Sequence, residues 1–142
     1  MESGKSYNKE NKSGFSESPE RLNRRAIFDF SVLTIVTLLV LAFLYPDNSD
    51  VFLLLSLPYL IPAILSKSNN SAVYPVTLVI AVISIFIGLL NGYFLISLKE
   101  WVVFFKKGYS LHFLELSYLI LLTGYIGMVY FSVRKYFSKQ LV

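Results

Sequence analysis

Four long apolar runs, separated by short polar breaks, occupy most of the sequence between Ala26 and Val133. No other feature constrains the chain as strongly. A helix of about 20 apolar residues is about 30 Å long, one hydrocarbon thickness of a bilayer. The expected fold is an all-α membrane protein, a bundle of four transmembrane helices. The expected spans are 26–45, 51–66, 72–98 and 111–133. They belong to one helical transmembrane domain, 19–142, preceded by a disordered cytoplasmic tail, 1–18.

The tail is rich in Ser, Asn, Lys, Glu and Gly and has too little apolar surface to offset the entropy of ordering. Ser18-Pro19-Glu20 then reads as a helix start, with Ser at the N-cap, Pro at the first helical position and an acid in the first turn. The first apolar run is too long and begins too late for a cleavable signal. The second run is short and contains Pro58 and Pro62. Each removes an amide donor and clashes with the carbonyl four residues back, so a kinked or re-entrant segment is expected. Residues 99–110 read as interfacial: Trp101, Phe104 and Phe105 lie among Lys99, Lys106 and Lys107.

Charge sets the orientation. Of 13 Lys and Arg, six precede residue 26 and three follow residue 133. Arg24, Arg25, Trp101, Lys106, Lys107, Arg134 and Lys135 are the expected interfacial anchors. Four spans with a cytoplasmic N-terminus place ten basic residues inside and three outside. A re-entrant second segment gives nine and four. Both arrangements put the N-terminal tail in the cytoplasm. The basic tails point to topology and lipid headgroups rather than to nucleic acid, because no basic stretch is interleaved with stacking aromatics.

The third run carries the most ordered pattern. Thr77, Ala81, Ser84, Gly88 and Asn91 recur at spacings of four and three residues, and Gly92 makes a GxxxG pair with Gly88. On a helical wheel these six fall within an arc of about 100°. Small residues let helix backbones approach closely in lipid, so this face is an expected helix-packing seam. It serves packing inside the bundle, an intermolecular interface or the lining of a pathway. Asn91 needs a partner for its amide. The carbonyls of Leu54 and Pro58, freed by the prolines, are candidates.

Chemistry is poorly supplied. The chain has no cysteine and one histidine, which excludes disulfides, thiolate metal sites and multi-histidine metal sites within one chain. There is no P-loop, GxSxG or HExxH motif. His112 and Glu115, three apart at the start of the fourth run, are the candidate ion or proton site. Snorkelling of both into the headgroups is the simpler reading. No catalytic residue, cofactor or metal ligand is expected, and the chain reads as a non-enzyme. The expected function is a structural, assembly or regulatory subunit of a larger membrane complex. The alternative is a small oligomeric channel or transporter, including a holin-like pore. Expected partners are the lipid bilayer and other membrane subunits or further copies of the chain. The absence of cysteine and of a targeting signal favours a prokaryotic cytoplasmic membrane.

Overall fold

The computed structural model describes residues 18–92 and 113–138, together with 99, 102, 103, 105 and 106. Within these residues all regular structure is helical, and four helices are long and apolar enough to cross a membrane. They are α1 (Pro19–Leu44), α2 (Ser49–Lys67), α3 (Val73–Leu90) and α4 (Phe113–Ser138). The tail 1–17, residues 93–98, Trp101, Lys107 and His112 lie outside the described residues, as does the side chain of Glu115.

α1 starts at the Ser18-Pro19-Glu20 signal. The Ser18 hydroxyl accepts from the Arg21 amide at 3.4 Å. That is long for such a bond, so Ser18→Ala is expected to cost only about 0.5 kcal/mol in a thermal melt. The basic residues 21–25 continue into the apolar stretch without a break, so α1 is a single helix of 26 residues. It ends at Tyr45, whose amide still bonds the Leu41 carbonyl at 2.9 Å, and Pro46–Asn48 form one 3₁₀ turn into α2.

α2 runs unbroken through Pro58 and Pro62. At 19 residues it is about 28 Å long, and together with the turn before it reaches a span's length. The doubly proline-marked run is therefore one continuous helix rather than two half-helices. α3 stops at Leu90, short of the expected 72–98. Asn91 caps it and Gly92 takes φ +69°, the left-handed position that glycine fills without a Cβ penalty.

The helices form a ring in the order α1, α2, α3, α4. α1 packs broadly on α2 and α4, α3 packs on α4, and α2 meets α3 more thinly. One core cluster joins Leu38 and Leu41 of α1, Tyr59 of α2, Ala81 of α3, and Leu121 and Met128 of α4. A smaller one joins Ile27 of α1 to Val73 and Tyr74 of α3.

Small hydroxyl residues are buried while large apolar ones are exposed. Ser31, Thr34, Thr77, Ser117 and Ser132 are fully buried, while Phe43 is 86% and Leu90 83% exposed. Three hydroxyls of α1 bond the backbone of their own helix: Ser31 donates to Ile27 at 2.7 Å, Thr34 to Phe30 at 2.9 Å and Thr37 to Leu33 at 2.8 Å. Bonded in this way, these three sit between helices without an orphaned donor, whereas the buried Ser132 hydroxyl has no partner among the described residues.

Candidate functional site

The small-residue stripe of α3 enters the bundle at one end and leaves it at the other. Thr77 and Ala81 are fully buried. Ser84 is half-buried and reaches across to Tyr59. Gly88 and Gly92 are half-buried, and a Cβ added at either would meet no heavy atom of the described residues within 4 Å. Asn91 is exposed at the helix end. The structure thus brings Thr77, Ala81 and Ser84 to the interior, sets Gly88 and Gly92 half-buried at its edge and leaves Asn91 exposed. Of the two prolines, Pro62 is buried and Pro58 exposed.

Where the stripe turns outward, three tyrosines gather. Tyr59 of α2 is 4% exposed, and its ring stacks on Tyr125 of α4 with centroids 5.7 Å apart and planes at 14°. Its hydroxyl bonds that of Ser84. Ser84 donates its own proton to the Ile80 carbonyl at 2.7 Å, so Tyr59 is the donor in the shared bond. Tyr118 packs against the same cluster. A wedge of about 30 Å³ remains between α3 and α4, lined by Ser84, Gly88, Tyr118, Leu121 and Tyr125 among others. That is about the volume of one water. The cluster can bind α2, α3 and α4 together. Among its described members are phenols and one alcohol but no carboxylate or imidazole to exchange a proton with them. Among the described residues no group of three His, Cys, Asp or Glu converges for a metal.

A close helix approach lies elsewhere, between α1 and α4. A Cβ at Gly124 would fall 2.6 Å from Thr34 Oγ1 and 3.6 Å from the Phe30 carbonyl oxygen. One at Gly127 would fall 2.7 Å from the Phe30 ring. Phe30 in turn stacks on Phe131, 5.9 Å between centroids. This pair is outside the expected packing seam, which lies on the third run. Its signal is present: buried Ser117, Leu121, Gly124, Met128 and Ser132 repeat every three or four residues, opposite buried Ile27, Ser31, Thr34, Leu38 and Leu41.

Charge gathers where α1 begins and α4 ends. Glu20 Oε1 lies 3.2 Å from Arg24 Nη2 and 3.8 Å from Lys135 Nζ. Arg24 also donates to the Ser68 carbonyl in the α2–α3 turn. Both cations face the ring of fully buried Tyr74 on α3, Lys135 Nζ at 4.2 Å and Arg24 Cζ at 5.7 Å from its centroid. Of the expected anchors, Arg24 and Lys135 thus form one clasp across the helix ends. Glu20 is 57% exposed, so its ion pairs contribute at most about 1 kcal/mol each. Arg25, Arg134 and Lys106 are exposed. Beside the clasp, between the start of α1 and the end of α2, opens a cleft of about 670 Å³. Arg21, Arg24, Arg25, Lys67, Phe28, Ser66 and Asn69 line it, together with Glu20, which pairs with Arg24. Lys67 Nζ stands 4.7 Å from the centroid of the Phe28 ring.

Compared with protein-family models, curated proteins and solved structures, the chain matches none.

Proposed function

We propose that the chain is a four-span integral membrane protein whose role is non-enzymatic: a subunit that packs against a larger membrane assembly and supports or regulates it. The observation that carries this reading is the outer half of α3. Its small-residue stripe continues to the edge of the bundle at Gly88, where a Cβ would meet nothing among the described residues within 4 Å. Close approach of backbones is what small residues supply in lipid, and among the described residues no helix backbone takes up this stretch. Around it Ile83, Phe86, Ile87 and Leu90 are exposed. A second transmembrane helix laid there would meet glycine flanked by large apolar side chains. The basic residues of the charged end favour its placement in the cytoplasm.

Two substitutions separate this role from a purely internal one. Gly88→Leu is expected to leave the melting of the purified chain unchanged within about 0.5 kcal/mol, because the position is open. The same change is expected to abolish recovery of stoichiometric partners from native membranes. Because the chain has no cysteine, Gly88→Cys supplies a unique cross-linking handle. Adducts to a larger membrane protein support the subunit role. Adducts only between copies of this chain replace it with self-association. An oligomeric channel would then be assayed by ion flux in liposomes. Flux that survives Ser84→Ala and Gly88→Leu would argue against this face as its interface.

A further inference from the structure

We propose that the cleft between the start of α1 and the end of α2 binds the phosphate of an anionic lipid headgroup. The proposal rests on membrane insertion of the four helices and not on the subunit role.

Two helices bring three cations to the cleft: Arg21 and Arg25 from α1, and Lys67 from the last turn of α2. The fourth, Arg24, is held by Glu20 at 3.2 Å and by the Ser68 carbonyl, which ties the two walls together. Ser66 and Asn69 add a hydroxyl and an amide to the lining. A phosphate diester offers anionic oxygens that match such a set, and guanidinium groups bind them with directed hydrogen bonds. At about 670 Å³ the cleft is in the size range of small-ligand pockets.

The order of residues favours a lipid over a free ion. Arg21, Arg25 and Phe28 lie on one face of α1, and from Arg21 to Phe28 the helix descends about 10 Å. The apolar stretch of α1 begins at Ala26, between them. On α1, Arg21 and Arg25 therefore lie on the polar side of that boundary and Phe28 on the apolar side, with Lys67 Nζ of α2 4.7 Å from the Phe28 ring. A lipid presents the same sequence, phosphate first and glycerol and acyl carbons below it. Inorganic phosphate has nothing to offer Phe28. Arg134 lies on α4, at the same end of the bundle but outside the lining, and is exposed.

The test uses the full chain, purified and titrated with phosphatidylglycerol or phosphatidylcholine, with bound lipid counted by native mass spectrometry. Phosphatidylglycerol is expected to be retained in preference to phosphatidylcholine. Arg21→Gln and Lys67→Gln are each expected to weaken retention about five-fold, and Arg134→Gln to leave it unchanged. Equal weakening by Arg134→Gln, or no preference between the two lipids, overturns the site. Displacement of the lipid by equimolar inorganic phosphate overturns the lipid assignment in favour of a free phosphate. Release of the chain from native membranes by sodium carbonate overturns membrane insertion, and the proposal with it. Retention through that wash confines any failure to the cleft.

Discussion

Replacing Gly124 with leucine is expected to destabilise the purified bundle by about 2–3 kcal/mol. The added side chain meets Thr34 Oγ1 at 2.6 Å from its first carbon, with the Phe30 carbonyl behind it at 3.6 Å. Thr34 is fully buried, and its hydroxyl is bonded to that same carbonyl at 2.9 Å, so it has little room to turn away. The only relief is to move α1 from α4, and that loosens the core contacts at Leu121 and Met128. Thermal unfolding in detergent, followed by near-ultraviolet circular dichroism, measures the loss. A cycle with smaller steps gives the cause. Gly124→Ala should destabilise alone, and Thr34→Ala should recover part of that loss, a coupling of about 1 kcal/mol. Independent effects of the two changes would mean that α1 and α4 do not meet here.

Truncating Tyr59 should cost more. Tyr59→Ala removes a buried ring from the centre of the core and leaves Tyr125 without its stacking partner, a loss of about 3–5 kcal/mol. Tyr59→Phe keeps the ring and removes the hydroxyl's bonds to Ser84 and Tyr125. Ser84 retains its own bond to Ile80, so that change should cost about 1 kcal/mol. The same melts measure both. A large loss in the phenylalanine variant would mean that the hydroxyl, rather than the ring, holds α2 in place.

Hydropathy makes the four helices legible, because they are apolar on their exposed sides as well as inside. The start of α1 is legible for another local reason: Ser18, Pro19 and Glu20 each suit a different position of a helix N-terminus. Tertiary partners are harder to read. Ser31 and Thr34 are unremarkable in an apolar helix until Gly124 and Gly127 are known to lie opposite them, and those are more than 80 residues away. The α3 stripe was legible as a pattern, but its depth was not. Asn91 and Gly92 fit a packing seam and also fit a helix stop, and the structure uses them as the stop. The clasp around Tyr74 was hidden for a similar reason. Arg24 and Lys135 read as separate anchors, and only the ring of helices brings them to one aromatic.

The thin contact between α2 and α3 imposes an order in time on assembly. α1 and α2 emerge before α3 and share a broad face, so their hairpin is expected to form ahead of it. α3 follows after a short turn but finds little on α2 to hold it. Its broad partner, α4, is synthesised only later. Until α4 arrives, the third helix is expected to be held at its first turn, where Val73 and Tyr74 meet Ile27 and Arg24 of α1. α4 then acts as a latch, closing on α1 through its glycines and drawing α3 in behind it.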